Sequence, residues 1–185
     1  MSLYLEEMLE FNKKFVEDKE YLPHLATKFP NKKMVILTCM DTRLTHLLLE
    51  ALNLKNGDVQ IIKVAGAIVR HPFGDAMRSL LVAVYELGVE DIVIIGHHDC
   101  GVKGLEAPKI INKMKERKID QEKIDFVIRY CHLDINRYLK GFDDVGHSVL
   151  ETVNMIRNHP LIPSDIHVHG FIIDPVTGKL DNVTQ

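Results

Sequence analysis

The chain has 185 residues, of which 46% are hydrophobic, and this predicts one domain spanning residues 1–185 with a sizeable core. A net charge of −3, with 26% charged residues of both signs, gives no basic field for nucleic acid and no polybasic patch for a membrane surface. The expected substrate is therefore a small molecule.

The cysteine content bears on the cellular compartment. Three cysteines, together with the lack of an apolar leader, argue against a secreted disulfide framework and predict a reducing, cytoplasmic location. No apolar run approaches the roughly 18 residues that a membrane-spanning helix needs.

The first predicted element is an amphipathic helix over about residues 3–20. Its apolar side chains recur at nearly helical spacing: Tyr4, Leu5, Met8, Leu9, Phe11 and Phe15. Two interpretations remain open, because this helix can pack on its own domain or form an N-terminal arm that embraces a second subunit.

Strands and helices alternate over the rest of the chain. Apolar runs predict strands at residues 34–38, 59–65, 91–95 and 166–174. Helices are predicted at 44–54, 74–87 and 145–158, with two or three more between 104 and 140 that break near Pro108 and at 118–120. The alternation predicts an α/β fold, a three-layer α-β-α arrangement with a mostly parallel central sheet of about four to five strands.

Metal-ligand side chains follow the first and third predicted strands. Cys39 comes after residues 34–38, and His97 and Cys100 come after residues 91–95. In parallel sheets, ligands bind beyond the carboxyl ends of strands, where the strand order reverses. If these two strands are neighbours, the three side chains meet there. Two thiols and an imidazole suit tetrahedral zinc, and three protein ligands leave an open position, which is typical of catalytic zinc.

Cys39 and two charged residues that follow it, Asp41 and Arg43, each have a simpler interpretation when they are considered alone. Cys39 can be a small core residue, and Asp41 and Arg43 can be a surface ion pair worth less than about 1 kcal/mol. The combination of Cys39 with His97 and Cys100 favours zinc. We then interpret Asp41 as accepting a hydrogen bond from zinc-bound water, with Arg43 holding its carboxylate through two parallel hydrogen bonds.

Other polar residues receive weaker assignments. Cys131, in a predicted helix, is expected to lie in the core. His167 and His169 alternate on the fourth strand and are expected to be structural, one of them buried and hydrogen-bonded. His98 is expected to face solvent or to lie behind the ligands, with proton transfer as an open alternative, and His71 lies in a loop that can rim the site.

Two loop residues near the ligands keep two interpretations each. Gly66 ends the second predicted strand, where it permits close backbone approach to the site or simply forms the turn. Asp99 either accepts a hydrogen bond from an imidazole or backbone N–H, or caps its loop.

Two motifs resemble those of a known family: Cys39-x-Asp41-x-Arg43 and His97-x-x-Cys100-Gly101. Together they resemble those of the β-class carbonic anhydrases, and the length of the chain and its lack of tryptophan resemble the short prokaryotic subfamily. The resemblance covers most of the chain, since residues 64–69 are similar to the family's glycine-bearing segment and residues 169–180 to its last strand and turn. Val64 and Ala67 depart from it, because related sequences often carry asparagine there, and this affects the substrate rim rather than the metal.

The resemblance implies one Zn²⁺ per subunit, bound by Cys39, His97 and Cys100, with Asp41 and Arg43 as the catalytic pair beside the fourth ligand. It implies reversible hydration of CO2 to bicarbonate and a proton through a zinc-bound hydroxide, in homodimers or higher homo-oligomers. In some members the aspartate itself binds zinc, so Asp41 is either a partner of the water or an inhibitory ligand.

Alternatives to CO2 hydration stay open. The same site suits hydrolysis of CS2 or COS, and a non-catalytic protein can bind zinc and bicarbonate or use its thiolates for redox sensing. Dinucleotide binding is disfavoured, because Cys39-Met40-Asp41 follows the first strand in place of a glycine-rich loop. Two thiolates cancel the charge of Zn²⁺, so we expect activity that rises into the alkaline range.

Overall fold

The computed structural model describes residues 2–184 and contains a five-stranded sheet of order β2-β1-β3-β4-β5. Strands β1 to β4 pair in parallel, and β5 pairs antiparallel with β4. The strands are β1 (Met34–Cys39), β2 (Gln60–Val64), β3 (Asp91–His97), β4 (His167–Ile173) and β5 (Leu180–Asn182). The predicted α/β fold with a mostly parallel sheet is confirmed. The short, incompletely buried β5 has no apolar run that would locate it in the sequence.

Seven helices accompany the sheet within residues 2–184: α1 (Leu3–Glu17), α2 (Leu44–Ala51), α3 (Asp75–Leu87), α4 (Ala107–Glu116), α5 (Gln121–Tyr130), α6 (Ile135–Leu139) and α7 (Val145–Arg157). Helix α3 stops at Gly88, whose φ of 67° is left-handed, as the glycine there predicts. None of the helices in this part of the chain combines the length and apolar character needed to cross a bilayer.

The segment between residues 104 and 140 contains three helices, the upper end of the predicted number. The predicted break at Pro108 is wrong, because this proline lies in the first turn of α4. A proline is tolerated there since the first turn of a helix has no acceptor for its backbone N–H groups. The break at 118–120 is confirmed by the gap between α4 and α5.

Helices cover both faces of the sheet, which produces the three predicted layers. Side chains alternate along a strand, so Val35 and Leu37 face one side while Ile36 faces the other. The first side packs against α3 and α7, and the second packs against α2. Because both faces are buried, the strands are continuous apolar runs rather than alternating ones.

Helix α1 differs from the other long helices because none of its residues is buried. Its apolar side chains, including Tyr4, Met8, Leu9 and Phe11, are exposed to solvent. The helix also ends at Glu17, three residues before the predicted boundary. Of the two interpretations, packing on its own domain does not occur here, and association with a second subunit stays a prediction.

Two assignments of polar residues are wrong. Cys131 is exposed rather than in the core, because it caps the end of α5, a helix that buries only Ile124. Neither His167 nor His169 is buried, since their side chains are 71% and 44% exposed. Both lie near the amino end of β4, at the rim of the sheet.

Candidate metal centre

Strand topology brings the three candidate ligands together. Strand β2 lies on one side of β1 and β3 on the other, so the strand order reverses between β1 and β3. Cys39 ends β1, His97 ends β3, and Cys100 lies in the following turn. Their ligand atoms all lie within 4.8 Å of one another, and the three residues are 3%, 1% and 7% exposed, respectively. The predicted meeting of these side chains at the carboxyl ends of neighbouring strands is therefore present.

The spacing of the two sulfurs matches a zinc tetrahedron. The Sγ atoms of Cys39 and Cys100 are 3.8 Å apart. Two Zn–S bonds of about 2.3 Å at the tetrahedral angle place their sulfurs about 3.8 Å apart. The thiols therefore need no rearrangement to bind one ion.

The ring of His97 is oriented by the backbone. Its Nδ1 lies 2.8 Å from the carbonyl oxygen of His98. A carbonyl can only accept a hydrogen bond, so Nδ1 carries the proton and Nε2 keeps a free lone pair. This Nε2 is buried and has no hydrogen-bond partner among the described residues. An unsatisfied buried polar atom costs about 1–3 kcal/mol, and a metal ion at this position would satisfy it.

Gly66 supplies a backbone contact to the first ligand. It lies in a short 3₁₀ turn, Ala65–Ala67, and its N–H donates to Cys39 Sγ at 3.3 Å. Its φ of 72° is left-handed, and an added Cβ would lie only 3.1 to 3.2 Å from atoms of Ile68, Phe142 and Val102. The close backbone approach considered for this glycine is therefore present, and it favours the thiolate form of Cys39.

The two thiols have opposite pKa shifts. Burial raises the pKa of Cys39, but the neighbouring His97 imidazole and the backbone N–H groups of Asp41 and Gly66 outweigh it and lower the value to about 7. Burial, with Cys39 as a charged neighbour, raises the pKa of Cys100 to about 11. The pKa of His97 is raised, because its contact with Cys39 outweighs burial. Metal binding must therefore displace a proton from Cys100.

Asp41 and Arg43 form the bidentate pair expected from their spacing. Arg43 donates from Nε to Asp41 Oδ1 at 3.0 Å and from Nη2 to Oδ2 at 2.9 Å. The Arg43 backbone N–H adds a third bond to Oδ1. Mainly because of the Arg43 side chain, the pKa of Asp41 is lowered to about 2. Asp41 Oδ2 lies 3.8 Å from His97 Nε2, so the carboxylate borders the position between the ligands.

Asp99 is a second partner of Arg43 that sequence reasoning missed. Arg43 Nη1 donates to Asp99 Oδ2 at 2.9 Å, and Nη2 donates to the Asp99 carbonyl oxygen at 2.8 Å. Neither predicted role of Asp99 matches this contact. The two residues are 56 positions apart, and no local pattern links them. The contact ties the loop after β1 to the turn after β3.

The side chains of His98 and His71 lie away from the three ligands. His98 is exposed, which agrees with the solvent-facing interpretation, and only its carbonyl oxygen contacts His97. His71 lines a separate cavity of about 530 Å³, and its Nδ1 accepts the N–H of Phe73 at 3.0 Å. That cavity is mainly apolar and includes Ala65, Ile68 and Val102, close to Gly66.

Comparison with known proteins agrees with this geometry. The family model for carbonic anhydrase matches residues 34–180. The Bacillus subtilis (strain 168) protein named "Putative carbonic anhydrase YtiB" is 53% identical over 185 residues, which cover 100% of this chain and 98% of that protein. A carbon disulfide hydrolase from Acidithiobacillus thiooxidans is 29% identical over 157 residues, 81% of this chain and 76% of that protein.

Among solved structures, the crystal structure of β-carbonic anhydrase isoform I (TvaCA1) from Trichomonas vaginalis matches with a TM-score of 0.89 at 34% identity. The match covers 99% of this chain and 98% of that one. Family model, sequence relatives and fold agree with the resemblance in the two motifs. This chain belongs to the β-carbonic anhydrase family.

Proposed function

We propose that this chain catalyses the reversible hydration of CO2 to bicarbonate and a proton, with one Zn²⁺ per subunit held by Cys39, His97 and Cys100. One observation carries the proposal: the three ligands are buried together, and the imidazole Nε2 has no partner among the described residues. Membership of the carbonic anhydrase family supports the same activity.

Zn²⁺ with three protein ligands supplies a Lewis acid that makes water acidic enough to act as a nucleophile near neutral pH. The chain's own groups fix the ligands: the His98 carbonyl holds the ring of His97, and the Gly66 N–H holds the sulfur of Cys39. These contacts keep the ligand geometry from relaxing when the metal leaves or enters.

Asp41 and Arg43 orient the attacking water in this proposal. Arg43 keeps Asp41 ionised, so the carboxylate can only accept a hydrogen bond. Its Oδ2 borders the metal position at 3.8 Å from His97 Nε2. A water that donates to Oδ2 directs its remaining lone pair away from the carboxylate, toward CO2. The apolar side chains of Ile68 and Val102 beside Gly66 suit this uncharged substrate.

Stopped-flow CO2 hydration by zinc-loaded protein tests the proposal. We expect fast turnover that is lost in Cys39→Ser and retained in Cys131→Ser, a matched control because Cys131 is an exposed thiol far from the ligands in sequence. No turnover by the zinc-loaded parent protein at any pH from neutral to alkaline would contradict the proposal.

Hydrolysis of CS2 or COS is the second candidate. It is supported by the relative named carbon disulfide hydrolase, which is 29% identical to this chain. The same nucleophilic water can attack these carbon centres. Supplying each gas separately and measuring H2S release against CO2 hydration distinguishes the substrates.

A non-catalytic protein that binds zinc or bicarbonate requires Asp41 to close the fourth position. Both carboxylate oxygens of Asp41 are bonded to Arg43, which favours the open arrangement. A zinc-loaded crystal structure at two pH values separates the two states, because only the closed one has Asp41 as a ligand.

We also propose a homodimer or higher homo-oligomer in which α1 packs on a second subunit. The exposed apolar side chains of α1, including Met8 and Phe11, support this arrangement. Analytical ultracentrifugation of the wild type and of Met8→Glu/Phe11→Glu should show loss of the oligomer in the variant but not in the polar control Glu10→Lys. A monomeric wild type would contradict it.

A cytoplasmic location is the last part of the proposal. It is supported by the three free thiols, two of which must stay reduced to bind zinc. Cell fractionation tests it directly.

A further inference from the structure

Two histidines and an aspartate lie together at the end of the sheet opposite the Cys39–His97–Cys100 cluster. Asp91 begins β3, His167 begins β4, and the two residues pair in register. His169 follows two positions along the same strand, so both imidazoles project from one face. Asp91 Oδ1 lies 3.6 Å from His167 Nδ1 and 3.4 Å from His169 Nε2.

This cluster is remote from the candidate metal centre. In the β3–β4 register, Asp91 pairs with His167 and His97 pairs with Ile173. The six-residue step along β3 corresponds to about 20 Å at roughly 3.3 Å per residue. The two clusters therefore cannot share an ion, and neither depends on the other for its ligands.

We propose that Asp91, His167 and His169 form a second binding site, for a divalent transition-metal ion such as Zn²⁺. Two imidazoles and one carboxylate are ligands that zinc and related ions prefer. In a zinc tetrahedron with bonds of about 2.0 to 2.1 Å, neighbouring N and O ligands lie about 3.3 Å apart. The two distances from Asp91 Oδ1 are close to this value.

The carboxylate of Asp91 forms no hydrogen bond with the imidazole of His167 or of His169. Separations of 3.4 and 3.6 Å are too long for hydrogen bonds, so Asp91 lies near both rings without bonding either. The carboxylate of Asp91 therefore lies beside both rings with its lone pairs available to an ion.

One adjustment is needed before the ion can bind. The ring centroids of His167 and His169 are 6.4 Å apart, and shared coordination brings such centroids to about 5 Å. Both side chains are free to turn, because they are 71% and 44% exposed. Solvent fills the remaining coordination positions, so this site binds more weakly than the buried Cys39–His97–Cys100 cluster.

Equilibrium dialysis against rising free Zn²⁺ tests the site. The starting protein carries Cys131→Ser, which removes the exposed thiol, and already contains its first zinc equivalent. It is compared with the same protein carrying His167→Gln/His169→Gln or Asp91→Asn. The matched control is His147→Gln, which also removes an exposed imidazole beside a carboxylate, since His147 Nε2 lies 3.3 Å from Glu151.

We expect a second zinc equivalent in the starting protein and in the His147→Gln control. Binding of that equivalent should be at least about tenfold weaker in the double-histidine and Asp91→Asn variants, because each loses a direct ligand. The first equivalent and the CO2 hydration rate should not change. Absence of a second equivalent in the starting protein, or equally tight binding by the double-histidine variant, would overturn the proposal.

Discussion

The sheet has a cluster of candidate metal ligands at each end of β3, and the two clusters differ chiefly in burial. At the carboxyl end, His97 is 1% exposed and the His98 carbonyl fixes its ring. At the amino end, the His167 side chain is 71% exposed and lies 3.6 Å from Asp91, beyond hydrogen-bond distance.

The difference shows what makes a set of ligands suitable for catalysis. The residue types at both ends suit zinc, but only the carboxyl end holds its ligands in place before the metal arrives. Its ligands also lie next to an ionised carboxylate, Asp41, that can orient a water. The exposed amino end, where we propose a second ion, has no comparable means of orienting a substrate.

Removal of one ligand at the carboxyl end should have the largest effect. Cys100→Ala should lose zinc and lower the CO2 hydration rate by at least about a thousandfold, because the Lewis acid leaves with its ligand. Zinc content by elemental analysis and stopped-flow rates check this. His169→Gln at the amino end should leave the rate unchanged. A Cys100→Ala protein with full zinc content would overturn the ligand assignment.

Removal of the guanidinium should separate orientation from metal binding. Arg43→Ala should retain its zinc but lose about 10- to 100-fold in kcat/KM, because Asp41 is no longer held beside the metal position. Arg117→Ala removes an exposed arginine after α4 and should have no effect. A nearly unchanged rate in Arg43→Ala would assign the pair a purely structural role.

The pH dependence of kcat/KM should show which group at the carboxyl end titrates during catalysis. The pKa of Asp41 is lowered to about 2 and that of Arg43 is raised, so neither group changes charge between about pH 6 and pH 9. The profile therefore reports the nucleophilic water, whose deprotonated fraction grows as pH rises. Because two thiolates offset the charge of Zn²⁺, we expect kcat/KM to rise roughly tenfold from pH 7 to pH 9. A flat profile from mildly acidic to alkaline pH would contradict this explanation.

The smallest effect is expected at Asp99. Its side chain is 87% exposed, so its ion pair with Arg43 is weakened by solvent, and its carbonyl contact does not depend on the side chain. Asp99→Asn should lower kcat/KM by less than about fivefold. A loss as large as that of Arg43→Ala would show that the turn after β3 controls the orientation of Asp41.

Much of the fold follows from local pattern. The apolar run at residues 34–38 predicts β1 because a strand buried on both faces needs apolar side chains at every position. Gly88 ends α3 because a glycine readily adopts the left-handed conformation found there. The three candidate ligands could be paired from sequence because the carboxyl ends of neighbouring parallel strands share one edge.

Other features could not be predicted, because they depend on residues far apart in the chain. Arg43 meets Asp99 across 56 positions, and the ring of His97 is held by a backbone carbonyl rather than by a side chain. A cysteine in a helical pattern predicts a core position for Cys131, but the elements that pack against α5 determine which face of this helix is buried.

The sequence by itself determined the α/β class, the order of the main elements and the three candidate zinc ligands, since apolar periodicity and ligand chemistry are local properties. Tertiary structure alone decided which polar groups are buried. It leaves His97 Nε2 buried without a partner among residues 2–184, and it exposes His167 and His169 at the other end of the sheet. Burial depends on how the helices and the sheet pack together, and packing brings together side chains that no local pattern relates.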